Sequence, residues 1–303
     1  MRDDLAESIE GDLEQIIRLA LEEDLGPGDI TVEALVPESV SAVGEIVAKE
    51  EGVLAGVETA VKTFQIVDDS IEIETKARDG DRIAPGTAIV SLRGRAASLL
   101  KAERTALNFL QRLSGVATIT RSYVEAVDKT GAVILDTRKT TPGLRLLEKA
   151  AVKAGGGVNH RVGLYDMVLI KDNHLAVLDC QSEAEAVRLA LSKARSSVDR
   201  SIGLEVEVAT TEGALAATEA GADMILLDNM TLEALSRTVE AVDAACAGGG
   251  RNRPQLEASG GVTLDRVRAI AETGVDRISV GALTHSAKAL DIAMYLSFDT
   301  KKS

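Results

Sequence analysis

The sequence predicts an α/β protein in two parts, a mixed N-terminal domain followed by a (β/α) barrel. Three observations carry this expectation. Short β-like runs broken by Gly and Asp turns follow an N-terminal helical stretch. From about residue 115, apolar strands alternate with Ala- and Glu-rich helical stretches, the pattern of parallel strands joined by crossover helices. Hydrophobic residues make up 45% of the 303, yet aromatics only 2%, with no Trp. A core of Ala, Val, Leu and Ile suits helices packed closely on parallel strands.

In order along the chain, residues 4–25 place Leu5, Ile9, Leu13, Ile16, Ile17 and Leu19 on an amphipathic helix that Gly26-Pro27-Gly28 breaks. Strand-like runs follow at 43–50, 71–77 and 87–94, with turns at 79–81 and 85–86. Ala97 to about Leu113 returns to a helical period. Six apolar runs then read as barrel strands: 132–136, 166–172, 202–208, 222–228, 255–261 and 276–282, with helices at 182–194, 211–220 and 264–274. Six consecutive units favour a closed barrel over an open sheet. Ser286 to Met294 reads as helical. The domains are therefore expected at 1–114 and 115–282, with a C-terminal helix within 283–303 packing back on the first.

The formal net charge of −14 argues against duplex nucleic acid, which needs a basic face, and the scarcity of aromatics argues against single strands. No apolar run approaches the roughly 18 residues that span a bilayer, and the acidic N-terminus lacks a signal core. Cys180 and Cys246 lack metal-ligand spacing and read as free packing thiols in a reducing cytoplasm. The acidic balance also fits solubility at high salt, as it fits many ordinary proteins.

Against this background, residues 136–161, DTRKTTPGLRLLEKAAVKAGGGVNHR, carry six Lys or Arg and two acids. The proposed strands also end alike. Asp136, Thr137, Arg138 and Lys139 follow the first and Lys171 the second. Glu205 and Glu207 share one face of the third, Asp228 ends the fourth, Ser259-Gly260-Gly261 the fifth, and Gly281-Ala282 the sixth. In a (β/α) barrel all these ends meet at one mouth, where the active site lies. Glycines there let backbone N–H groups approach a phosphate. Arg138 and Arg161 suit carboxylates, and Glu205 and Asp228 suit Mg²⁺ or ribose hydroxyls. Taken singly, a strand-end Lys or Asp is more often a solvated cap. Gly155-Gly156-Gly157 reads equally as a helix end, Glu207 as a salt-bridged interior residue, and His285 as a helix start. Their recurrence at the same end of successive strands points to a site for a ligand with a phosphate, a sugar-like centre and further negative charge. No Ser or Cys stands beside a His in a recognisable nucleophile motif.

Residues 136–174, from DTRKTTPG through GGGVNHR to IKDNH, resemble the signature segment of the quinolinate phosphoribosyltransferase family. The resemblance extends to EDLGPGDIT (23–31), ERTALNFLQRLSGVAT (103–118), LEVEV (204–208), LLDNM (226–230), LEASGGV (256–262) and ISVGALTHS (278–286). It implies an N-terminal α/β sandwich domain and an incomplete TIM-like barrel of fewer than eight strands. It further implies a homodimer, with hexamers left open, in which the N-terminal domain of one subunit covers the barrel mouth of the other and Arg104 reaches the partner's site. Thr137, Arg138, Lys139, His160, Arg161 and Lys171 then belong to the quinolinate pocket and its surroundings. Glu205 and Asp228 stand near the ribose of phosphoribosyl pyrophosphate and its Mg²⁺, as metal ligands with that substrate. Ser259, Gly260, Gly261, Val280, Gly281 and Ala282 hold the 5′-phosphate. No organic cofactor is implied. Ala150, where many relatives carry a bulkier residue, is the one departure, and it removes no charge.

The implied reaction joins two polyanions, so the basic stretch is expected to line the site and focus positive potential there. Two rivals stand beside it: a relative associated with molybdate-transport genes that uses another acceptor, and a Schiff-base enzyme built on Lys171.

Overall fold

The structure, a computed structural model, describes residues 2–248 and 252–298, with side chains from Leu13 onward, so the side chains of Leu5 and Ile9 lie outside the described residues. In chain order the N-terminal elements are α1 (Arg2–Leu25), α2 (Ile30–Leu35), β1 (Ser41–Ala48), β2 (Gly52–Val53), α3 (Val57–Val67), β3 (Glu72–Thr75), β4 (Arg82–Ile83), β5 (Ala88–Arg95) and α4 (Ala96–Ala126). Then follow β6 (Val133–Leu135), α5 (Arg145–Ala154), β7 (Val168–Ile170), α6 (Asp172–Ala176), α7 (Glu183–Ser197), β8 (Leu204–Val208), α8 (Thr211–Glu219) and β9 (Met224–Asp228). The chain ends with α9 (Leu232–Cys246), β10 (Gln255–Ser259), α10 (Val267–Ala271), β11 (Arg277–Ser279), α11 (Ala282–His285) and β12 (Ile292–Phe298).

Two compact units emerge. One comprises Met1–Arg121, Thr140–Gly156 and Leu283–Ser303, the other Ser122–Lys139 and Gly157–Ala282. The first unit holds an antiparallel sheet in the order β12-β1-β5-β3. Ala42, Ile46, Ile89, Val90 and Leu92 of that sheet pack with Phe64 of α3 and with Leu99, Leu107 and Leu110 of α4 in one core. Helix α1 ends as expected, with Gly26 at φ +49°. Its Ile17 and Leu21 are buried with Phe109 of α4. Asp29 caps α2 by accepting from the Thr31 and Val32 N–H groups at 3.0 and 2.9 Å.

The expected helix at 286–294 is a correction. Residues 286–291 form no helix and lead into β12, which pairs antiparallel with β1 from Ala48↔Ile292 to Ala42↔Phe298. The β-prone run Ile292-Ala-Met-Tyr-Leu-Ser-Phe298 extends past Met294, where the helical reading stopped. Ahead of it, the Lys288 carbonyl sits where a Cβ on Gly115 of α4 would fall, so the backbone there lies directly on that helix. Residues 299–303 of the expected helix lie outside the described residues.

The second unit is a parallel six-stranded sheet in the order β6-β11-β10-β9-β8-β7. No ladder joins β6 to β7 among the described residues, so the closed barrel read from the strand pattern is instead incomplete. Val158 pairs with Leu135 on the free side of β6 and donates its N–H to the Ile134 carbonyl at 2.8 Å. That contact brings the GGGVNHR segment alongside the first strand. Gly155, at the C-terminus of α5, has no room for a Cβ against Thr120, and Gly156 turns at φ +93°, so the glycine run ends a helix.

Candidate active site

A cavity of about 560 Å³ opens at the C-terminal ends of the parallel strands. The period of two fixes which side chains face it: Leu169 and Lys171 at the end of β7, Glu207 from β8, Leu226 and Asp228 from β9, Glu257 and Ser259 from β10, and Ser279 from β11. Thr137, Arg138 and Lys139 enter from the loop after β6, and His160 and Arg161 from the segment beside it. Asp228 and Ser259 are register partners, so acid and phosphate-loop candidates stand at one level. A larger cavity of about 630 Å³ lies in the first unit, but its Arg18 and Arg95 are already paired with Glu14 and Asp68 at 2.6 and 2.8 Å.

Ten of the fifteen expected site residues line this one cavity: Thr137, Arg138, Lys139, His160, Arg161, Lys171, Asp228, Ser259, Gly260 and Gly261. Arg104, Glu205, Val280, Gly281 and Ala282 do not. Arg104 is exposed on α4 in the first unit. The expected basic lining also needs correcting. Of the six cations in 136–161, Arg145, Lys149 and Lys153 lie on α5 in the first unit, and only Arg138, Lys139 and Arg161 face the cavity.

Two of the cations that do face it, Arg138 and Arg161, lie close enough to repel. Burial, and then the Arg138 charge, push Arg161 below its usual range. Arg161 donates to the Met167 carbonyl at 3.1 Å, and among the described residues the buried Nε of Arg138 has no hydrogen-bond partner. Like charges held together with an unused donor suit an anion that bridges them. Opposite them, Lys171 Nζ lies 3.5 Å from Glu207 Oε2. Burial raises the Glu207 pKa, the Lys171 charge lowers it, and the Asp228 charge raises it. An acid whose charge is disfavoured by a second carboxylate is suited to share a cation with it.

The acid of β8 that lines the cavity is therefore Glu207, not the expected Glu205. Two residues of strand rise about 6.6 Å, which sets Glu205 one layer deeper, fully buried. There it meets a residue the sequence reading passed over, Glu257 of β10, also fully buried. His160 Nε2 lies 3.0 Å from Glu205 Oε2 and 3.5 Å from Glu257 Oε1. Burial would lower the His160 pKa, but both carboxylates outweigh it and raise it to about 9. Burial raises Glu205 as well, with His160 opposing. The Arg161 N–H lies 2.8 Å from His160 Nδ1, which fits a lone pair there. Two buried carboxylates within ion-pair distance of Nε2 outweigh that single contact between adjacent residues. The backbone is held too, since the buried Asp136 accepts the His160 N–H at 2.9 Å.

At the phosphate-loop end, Asn229 is a second residue the sequence reading did not single out. It sits at φ +51°, its amide donates to Asp228 Oδ2 at 2.7 Å, and its backbone N–H donates to the Ser259 carbonyl at 2.9 Å. Gly260 turns at φ +96° with the Asn229 side chain where its Cβ would be. The signals for both missed residues were present. Glu257 shares strand parity with Ser259, and a left-handed Asn beside a strand-end Asp is a common turn device.

Comparison with known proteins gives a consistent picture. The model of the quinolinate phosphoribosyl transferase C-terminal domain matches residues 116–295, and that of the N-terminal domain matches residues 29–114. A Bacillus subtilis protein named probable nicotinate-nucleotide pyrophosphorylase (carboxylating) is 45% identical over 272 residues, covering 90% of this chain and 89% of the relative. Quinolinate phosphoribosyltransferase (decarboxylating) 1 of Nicotiana glauca is 42% identical over 310 residues, covering 96% of this chain and 83% of its own. The crystal structure of NadC from Streptococcus pyogenes aligns with a TM-score of 0.87 at 37% identity, covering 95% of this chain and 97% of that one.

Proposed function

The chain belongs to the quinolinate phosphoribosyltransferase family, and we propose on that premise that it transfers phosphoribosyl from phosphoribosyl pyrophosphate to quinolinate with loss of CO₂. The products are nicotinate mononucleotide and pyrophosphate. The observation that carries this reading is the single cavity, which sets Arg138, Lys139, Arg161 and Lys171 against Glu207, Asp228 and a glycine loop. Two polyanions need the first set, and a ribose with its metal needs the second.

Arg138 and Arg161 would grip the adjacent carboxylates of the pyridine, with His160 beside them. Ser259, Gly260 and Gly261 would hold the 5′-phosphate through backbone N–H groups. Glu207 and Asp228 are hard oxygen donors and would hold Mg²⁺, which when bound neutralises pyrophosphate charge. The same acids favour positive charge developing at ribose C1′ as pyrophosphate departs, and Lys139 and Lys171 favour the negative charge that leaves. The pyridine nitrogen attacks C1′, and the cationic ring then stabilises the carbanion left at C2 when the 2-carboxylate departs as CO₂; that carbon takes a proton from water to give the product. The chain supplies positioning and electrostatics, with no covalent intermediate. A homodimer in which Arg104 reaches the partner's cavity fits its exposure on α4 and its absence from the lining here.

The Schiff-base reading on Lys171 is disfavoured. That side chain is 48% exposed and paired with Glu207, whereas nucleophilic lysines are desolvated or placed beside another cation. Purified protein with Mg²⁺, phosphoribosyl pyrophosphate and a panel of pyridine carboxylates tests the proposal and its molybdate-associated rival together. Pyrophosphate release should depend on quinolinate, and release with another acceptor but not with quinolinate would refute it.

A further inference from the structure

We infer that Glu205 and Glu257 are positioning residues that clamp His160 beneath the cavity, so that selection of an aromatic dicarboxylate depends on two acids that need not touch it. This rests on the functional reading above. Glu205 comes from β8, Glu257 from β10, two strands away, and His160 from the segment beside β6. Their ligating atoms nevertheless all lie within 4.8 Å of one another. Both acids are fully buried, and among the described residues none of their four oxygens has a hydrogen-bond partner, with His160 Nε2 at ion-pair distance from both. Arg277 also acts on Glu205, and the Glu205 charge in turn acts on Arg161. Burying two carboxylates so poorly supplied with donors is unfavourable, and an apolar layer of the same volume would pack a barrel floor better. The arrangement makes physical sense through what it does to the imidazole. It draws Nε2 between two negative charges, while Asp136 accepts the backbone N–H of the same residue. Residue 160 is thus held at both ends, and Arg161, the next residue, extends into the cavity from that anchor.

Glu205→Gln and Glu257→Gln keep the shape and remove one charge each. We expect the KM for quinolinate to rise about tenfold or more in each, the KM for phosphoribosyl pyrophosphate to stay within about twofold, and the melting temperature not to fall. Calorimetric titration with quinolinate should show the same loss of affinity without turnover. The chain has three histidines, so ¹⁵N-histidine labelling resolves the His160 Nε2–H. It should be a slowly exchanging signal in the wild type and be lost or moved in Glu257→Gln. Equal rises in both KM values with a lowered melting temperature would mean a structural role and overturn the inference, as would unchanged quinolinate affinity in both variants. A stoichiometric divalent cation that co-purifies with the wild type and is lost from the variants would overturn it too, since the cluster would then be a metal site. Wild-type protein with no quinolinate affinity would overturn the functional reading and this inference with it.

Discussion

Replacing Gly260 with Ala puts the phosphate-loop geometry to a quantitative test. Gly260 sits at φ +96°, and an added Cβ would overlap the Asn229 side chain and lie 3.0 Å from the Asn229 backbone nitrogen. Asn229 cannot give way cheaply. Its N–H is bonded to Ser259 at 2.9 Å, its amide to Asp228 at 2.7 Å, and its own φ is +51°. Positive φ in a non-glycine residue costs about 1–2 kcal/mol, and overpacking adds about 1–3 kcal/mol. Either the fold bears this or the loop shifts. A shift that removes about 2 kcal/mol of phosphate binding raises the KM for phosphoribosyl pyrophosphate roughly 30-fold. Gly143→Ala is the control. Gly143 also has positive φ, +81°, but nothing lies within 4 Å of its Cβ position, so we expect about 1 kcal/mol of destabilisation and no kinetic effect. Thermal melts and separate KM measurements for each substrate read both variants. Gly260→Ala with wild-type melting and a wild-type KM for phosphoribosyl pyrophosphate would refute the reasoning.

Other expectations test other parts of the molecule. Arg138→Ala and Arg161→Ala should chiefly weaken quinolinate binding, by about 10²-fold or more in kcat/KM, and near-normal kinetics in both would remove them from the pocket. Arg104→Ala and Lys139→Ala should each be nearly inactive, yet subunits mixed and reassembled should regain about a quarter of wild-type activity if one site draws on two subunits. No recovery would count against the shared site. In the first unit, fully buried Glu148 accepts from Arg112 at 2.7 Å and from the Thr141 hydroxyl and N–H at 2.8 and 3.1 Å. Arg112→Met should cost about 3 kcal/mol in a denaturant titration, and less in a Glu148→Gln background. Asp68 is held below the usual carboxylate range by bonds from Ser70, Ser98 and Arg95, which outweigh its burial. A depressed carboxylate stabilises above its unfolded value, 3.8 here, and that contribution is lost as pH falls below it. The stability gap between wild type and Asp68→Asn should therefore be full near neutral pH and shrink as pH falls below about 4.

Much of the architecture is legible in the residues because its signals are local. Four of the six barrel strands are followed at once by a polar or glycine residue (Asp136, Lys171, Asn229 and Gly260), and all six lie within or beside the expected ranges. Barrel closure is not legible, because whether β6 meets β7 depends on the tilt of six strands together. The C-terminal strand was hidden for a related reason. Ser286–Met294 carries a helical pattern by itself, and only pairing with β1, some 250 residues earlier in the sequence, makes its continuation a strand. In the cavity, side chains that end strands were readable from position alone. Depth was not: Glu205 and Glu207 share a face, and only strand stagger decides which reaches the ligand. The basic stretch misled because α5, within it, belongs to the first unit, where Glu148 and Lys149 are buried.

The most direct test follows the label in quinolinate carrying ¹⁴C at its 2-carboxylate, with purified protein, phosphoribosyl pyrophosphate and Mg²⁺. We expect labelled CO₂ and pyrophosphate to appear one for one, and neither to appear when quinolinate or phosphoribosyl pyrophosphate is withheld. Pyrophosphate without labelled CO₂, or no turnover by folded protein, would contradict the central claim that this cavity receives both polyanions and joins them.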